Sequence, residues 1–189
     1  MKEIKKFYND IKDIKYGWHD KDGKVHTNLK EGNFVKDYRR QKTKDIINNK
    51  YAICWELCEL ERNYFKKRKI EYKTIFVLSR EDGKYYCHTF LVFKPHKHYY
   101  YFEASWRKHK GIHKYNSLEE ILEFFRNNFS DFIGKKKYDK DKIYFYEYKK
   151  PLFIRKCNPF YFFCMHSKKI NYWFIIFVCY NIRPTRRND

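Results

Sequence analysis

The sequence predicts an α+β fold in which the N-terminal helix of the core, carrying a cysteine, packs on an antiparallel sheet. Three observations lead to it. In Tyr51 to Arg68, YAICWELCELERNYFKKR, apolar residues at 54, 57, 58, 60, 64 and 65 favour one side and Glu56, Glu59, Asn63 and Lys66 the other, so a helix starts near Cys54. Residues 70–78, 85–93 and 98–105 are rich in β-branched and aromatic side chains with only turn signals between them, which makes neighbouring strands antiparallel. Ser117-Leu118-Glu119-Glu120 is a capping box, and Leu118, Ile121, Leu122, Phe125 and Phe129 extend it into a helix that covers the sheet.

A chain of 189 residues suits a single domain, and with 43% hydrophobic residues, 19 Tyr and 18 Phe it has enough apolar surface to build a core. The net charge of +20 would attract a polyanion by long-range electrostatics. The lysines are nevertheless spread along the chain, alongside an excess of Asn, Ile, Tyr and Phe, so the charge also reads as composition. The six cysteines form no Cys-x-x-Cys pair, and MKEIKKFYNDIKD has charges where a secretory segment would be apolar. The expectation is a cytoplasmic protein with free thiols and no transmembrane segment.

In chain order, Ile4, Phe7, Tyr8, Ile11 and Ile14 predict a surface helix over residues 2–14 with one buried stripe. Lys21-Asp22-Gly23-Lys24 predicts a type I′ hairpin beside Trp18, His19 and Asp20. Residues 27–50 are polar, with Thr43 as N-cap of a short helix through Ile46 and Ile47. Glu81-Asp82-Gly83-Lys84 and Lys94-Pro95-His96-Lys97 are turns between the three strands, and Ile143 to Tyr148 is a further strand. From Pro151 the aromatics show no settled period, and the apolar run Tyr172 to Tyr180 is too short to span a bilayer.

The turn at Pro95 sets a register in which Phe93 faces His98, Leu91 faces Tyr100 and His88 faces Glu103. Directly opposed residues share a face, with Cβ atoms roughly 4.5–5.5 Å apart, so an imidazole is expected beside a carboxylate. Cys54, at a helix N-terminus where unpaired N–H groups and the helix dipole favour an anion, is the candidate nucleophile. Together the three form the arrangement thiol chemistry requires. The thiolate attacks a carbonyl, His88 holds and returns the proton, and Glu103 fixes the tautomer and orientation of the ring.

Ala52-Ile53-Cys54-Trp55, Cys87-His88-Thr89-Phe90 and Phe102-Glu103-Ala104-Ser105-Trp106 resemble the three blocks of the transglutaminase-like superfamily, a papain-like thiol fold. The longer runs CWELCELERNYF, HTFLVF and FEASWRKHKGIHKYNSLEEIL resemble small bacterial members of it, over roughly residues 15–165. The resemblance implies a transglutaminase-like core over residues 15–150, with 151–189 as a C-terminal segment. It also implies a Cys54-His88-Glu103 triad acting on a protein or peptide amide without a cofactor. The chain departs from the family at Ala52, where Gly is usual, at Phe90, where Trp is common, and at Glu103, one methylene longer than the usual Asp. For the oxyanion the backbone N–H of Cys54 is the generic donor, with Trp18 and His19 as ring donors.

Two other chemistries are open to the same sequence. A metal site could draw on Cys54, Cys58, Cys87, His88, His96 or His98, although Cys87 and His88 point to opposite faces of their strand. A non-catalytic module could bind nucleic acid or another polyanion through residues 66–69, Arg107 to Lys110 and Lys135 to Lys137.

Overall fold

The computed structural model describes residues 1–28, 31–81, 84–134, 138–148 and 167–169. Helix α1 (Lys2–Ile11) buries Ile4, Phe7 and Ile11, the stripe its spacing predicts. Short strands β1 (Lys15–Tyr16), β2 (Trp18–His19) and β3 (Val25–His26) follow, then helices α2 (Phe34–Asp37) and α3 (Thr43–Asn49). Strand β4 (Tyr51–Ala52) leads into α4 (Cys54–Lys67). Beyond it come β5 (Tyr72–Glu81), β6 (Lys84–Phe93), β7 (Tyr99–Glu103), β8 (Gly111–Tyr115), α5 (Leu118–Ile133), β9 (Ile143–Tyr148) and β10 (Ser167–Lys169).

The main sheet has six strands in the order β10-β9-β5-β6-β7-β8, and every neighbouring pair is antiparallel. The fold is α+β, as expected. Alternation along the strands sends Phe76, Leu78, Leu91, Phe93 and Phe102 to a face packed against Phe7, Ile11, Leu57 and Phe65 of α1 and α4. It sends Ile75, Val77, Phe90, Val92 and Tyr101 to the other face, packed against Ile121, Leu122, Phe125 and Phe129 of α5. A sheet buried on both sides explains why β5 and β6 read as nearly unbroken apolar runs. Among the described residues no helix is long and apolar enough to cross a membrane.

Several local expectations are corrected. The β2–β3 hairpin pairs Trp18 with His26 and His19 with Val25, and the Asp20 N–H donates to the Lys24 carbonyl. Its loop is therefore three residues long with Gly23 at φ +82°, in place of a two-residue type I′ turn. The Asp20 carboxylate selects this form by accepting from the N–H groups of Asp22 and Lys24, both at 2.9 Å. Thr43 opens α3 from inside, because Lys42 is the N-cap. Helix α2, capped by the Asn33 side chain, and edge strand β8 carried too little apolar signal to be foreseen.

On α4, Glu56 and Glu59 are buried although their spacing put them on the polar side. The chain from residue 38 to 41 folds over that side and supplies partners. Ser117 caps α5 as predicted, accepting from the Glu120 N–H, while the Glu120 carboxylate reaches the N–H of Asn116, one residue before the cap. Asp82, Gly83, Lys135 to Lys137, Cys157 and the Tyr172 to Tyr180 run lie outside the described residues, as does nearly all of the 151–189 segment.

Candidate active site

Cys54 occupies the first turn of α4, so its backbone N–H has no intrahelical acceptor. The entry to this helix is held by Glu56. Its carboxylate accepts from the N–H of Ile53 (3.2 Å), the N–H of Gln41 (2.8 Å) and the hydroxyl of Tyr38 (3.0 Å). Tyr38 in turn accepts from the indole N–H of Trp55 at 2.8 Å. Ile53 has no side-chain acceptor, so only the reverse half of a capping box exists here. These bonds fix the backbone on either side of Cys54, whose side chain is buried.

His88 and Glu103 are in direct contact, with Nε2 and Oε2 2.7 Å apart and each residue 1% exposed. The register that joins them differs from the expected one. Strands β6 and β7 pair Phe93 with Tyr100, Val92 with Tyr101 and Leu91 with Phe102, a slide of two residues, because the connection through Pro95 is longer than a four-residue turn. A two-residue slide keeps every side chain on its expected face. Continued past its last pair, the ladder sets Glu103 opposite Phe90, making it the diagonal neighbour of His88. Diagonal Cβ atoms are about 7–8 Å apart at most, a span that suits a glutamate better than a shorter aspartate.

The Glu103 carboxylate is saturated with donors. Beside His88, Oε2 accepts from the hydroxyl of Tyr101, and Oε1 accepts from the backbone N–H groups of Ser105 and Trp106, both at 2.7 Å, and from the Ser105 hydroxyl at 3.0 Å. Burial by itself would raise the Glu103 carboxyl, but His88 and these donors outweigh it and hold it low, at about 2. Burial would likewise depress His88, but the Glu103 carboxylate, with help from Cys54, raises it to about 10. Both shifts favour the charged pair. Phe90, Trp106, Phe125 and Phe132 surround the ring with centroids 4.9–6.3 Å away and keep water from screening the pair.

The second ring nitrogen, Nδ1, is buried and makes no hydrogen bond of standard geometry among the described residues. Cys54 is close enough to stabilise the charged ring all the same. It reaches His88 from the opposite layer: Cys54 belongs to the α1–α4 cluster, whereas His88 rests on rings of α5. The β6–β7 ladder ends at Leu91 and Phe102, short of His88 and Glu103. The structure thus brings together Cys54, His88 and Glu103.

It treats the two ring donors differently. Trp18 is buried and its indole N–H is committed to the Asn28 carbonyl at 3.1 Å, which removes it as an oxyanion donor. His19 is half-buried with Nδ1 unpartnered, and burial lowers its basicity. Of the residues that could have joined a metal site, Cys58 instead accepts a hydrogen bond from the Tyr148 hydroxyl at 3.3 Å. The basic clusters are partly engaged within the fold. Lys110 donates to the carbonyls of Lys12 and Ile14 beyond α1, and Lys108 pairs with Asp131.

Glu61 is an addition that spacing did not reveal, whereas the place of Tyr101 beside Glu103 could be read from it. Tyr101 follows from the alternation of β7, which sets it two residues from Glu103 on the same face. Glu61 lies two turns below Cys54 on the buried side of α4 with Oε2 unpartnered, and burial, then Glu103 and Cys54, push its carboxyl well above the ordinary range. Comparison of the chain with models of protein families, with curated proteins and with solved structures finds no match.

Proposed function

We propose that the protein is a thiol-dependent enzyme that cleaves or transfers the acyl group of a protein or peptide amide, on a papain-like, transglutaminase-type core. The observation that carries this reading is the 2.7 Å contact between His88 Nε2 and Glu103 Oε2, in a buried setting that leaves Nδ1 unpartnered with Cys54 nearby. In this scheme the Cys54 sulfur attacks the carbonyl carbon as a thiolate, and the carbonyl π electrons move to the oxygen. The tetrahedral intermediate collapses, the C–N bond breaks, and His88 gives its proton to the departing amine. Water or a second amine then attacks the thioester, His88 takes the incoming proton, and the sulfur leaves. Glu103 keeps Nε2 protonated and the ring fixed throughout.

The test is alkylation. With iodoacetamide and peptide mass spectrometry, Cys54 is expected to label fastest of the six cysteines, and His88→Ala is expected to slow that labelling about 100-fold. Labelling of Cys54 no faster than the other five, or unchanged in the variant, would overturn the reading.

A further inference from the structure

The net charge of +20 is unevenly placed. Helix α5 carries Glu119, Glu120, Glu123 and Asp131 against Arg126 alone, whereas the chain at the end of α4 reads Lys66-Lys67-Arg68-Lys69. The fold adds to that run from three directions. The Lys94 N–H donates to the Glu71 carbonyl at 3.1 Å, which sets the β6–β7 connection, with Lys97, beside the end of α4. Tyr100 pairs with Phe93 on one side and with Lys114 of β8 on the other. The Tyr64 hydroxyl donates to the Glu3 carbonyl at 2.7 Å, which brings the first turns of α1, with Lys2, Lys5 and Lys6, to the same end of α4.

These segments, residues 2–6, 66–71, 94–98 and 114, hold ten Lys and Arg against Glu3 and Glu71. Apart from half-buried Lys94 all ten are exposed, and among the described residues none is ion-paired to a carboxylate. Two of them are held by rings instead. The Arg68 guanidinium lies 3.8 Å from the centroid of the Tyr64 ring, which is itself stacked on Phe7 at 3.9 Å, and Lys94 Nζ lies 4.8 Å from the centroid of Tyr99. A guanidinium over a ring face keeps its in-plane N–H groups available to phosphate oxygens. A cleft where β5, β6 and β7 meet is lined by Tyr72, Phe93 and Tyr99, with Lys73 and Lys94 at its sides. Tyr72, Tyr99 and Tyr100 are each half-buried, so part of each remains at the surface.

We propose that this basic end of the molecule binds the backbone of single-stranded nucleic acid, with unpaired bases resting on the tyrosines around the cleft. Spaced cations match a chain of phosphates, and each tyrosine offers a base a surface to stack on. A duplex keeps its bases inside and an acidic peptide has none, so both would engage the charge alone. Cys54 lies at the other end of α4, 14 residues long and therefore about 20 Å away, so the surface stands apart from the thiol site.

Fluorescence anisotropy with a labelled oligothymidylate of about 16 nucleotides tests the proposal. Contact with about five phosphates gives a slope of about −3.5 for log affinity against log salt. Combining Arg68→Gln, Lys94→Gln and Lys97→Gln is expected to weaken binding about tenfold and to make the slope shallower by about 2. Combining Lys21→Gln, Lys24→Gln and Lys44→Gln removes the same charge from the β2–β3 loop and α3, and is expected to leave binding as in wild type. Equal weakening by both sets would overturn the proposal, since net charge alone would then account for binding. For wild type, a duplex of the same length and polyglutamate are each expected to bind about tenfold more weakly than the single strand, and equal affinity for either would overturn it as well. Acylation of Cys54 by 4-nitrophenyl acetate, read as a burst of nitrophenolate, is expected to be equal in wild type and both variants. Its absence from all three would sink the thiol mechanism and leave the binding result standing.

Discussion

Glu103 reaches one methylene further than an aspartate would, and the length has a structural counterpart in its diagonal relation to His88. Glu103→Asp should therefore withdraw the carboxylate from Nε2 and slow the ester burst about tenfold, while Glu103→Gln, which offers the ring a neutral amide, should slow it about 1,000-fold. Rapid-mixing measurement of nitrophenolate release distinguishes the two. The same residues set the pH range of stability. Glu103 is held below its unfolded value, so its contribution is complete above about pH 4.5 and is lost as pH falls through about 2. His88 is raised, so its contribution is complete below about pH 6.5 and is lost as pH rises through about 10. Glu61 is raised as well, by burial and by Glu103, Cys54 and Glu59, and it too opposes folding as pH rises above 4.5. Glu61→Gln imitates the neutral acid. Its urea midpoint should match wild type at about pH 3 and exceed it at about pH 9, whereas an equal difference at both pH values would show that ionisation of Glu61 is not involved.

Among the elements, α4 depends most on its first turn. With no side-chain acceptor at Ile53, the Glu56 carboxylate ties Ile53, Tyr38 and Gln41 to the helix start. Glu56→Ala would leave the buried Ile53 N–H and the partly buried Gln41 N–H and Tyr38 hydroxyl without this acceptor. It is expected to cost about 3 kcal/mol in urea unfolding and to slow Cys54 acylation as the helix entry loosens. Ser117→Ala at the start of α5 removes one exposed cap and should cost about 1 kcal/mol without changing acylation. The contrast separates a cap that builds the site from one that only ends a helix.

Across the whole molecule, the sheet is a partition with the Cys54 helix on one side and the rings that enclose His88 on the other. Phe125 joins the two functions. It is fully buried, stacks on Phe90 at 4.2 Å between ring centroids, and lies 5.8 Å from the ring of His88. Phe125→Ala should cost about 3–5 kcal/mol in stability. It should also admit water beside His88, so that the burst rate falls further in high salt than it does for wild type. Equal salt dependence in variant and wild type would place the screening elsewhere.

Local period, capping and the parity of a strand are enough to read the α+β class, the presence of α4, β5, β6, α5 and β9, and the shared face of His88 and Glu103, although β5 runs over Tyr72–Glu81 and not 70–78, and α5 continues past Phe129 to Ile133. The face survived a two-residue error in register since a shift of two returns every side chain to its side. Other features depend on contacts between segments distant in the chain. Tyr16 reaches the start of α4 through a parallel pairing of two-residue strands that leaves no mark on either, and Glu56 and Glu59 are buried only because residues 38 to 41 and Arg40 fold over them. The commitment of Trp18 to Asn28, and the end of β6–β7 pairing short of His88, are likewise products of tertiary packing. Local sequence fixes which way a side chain points, and only the folded chain decides what stands in front of it.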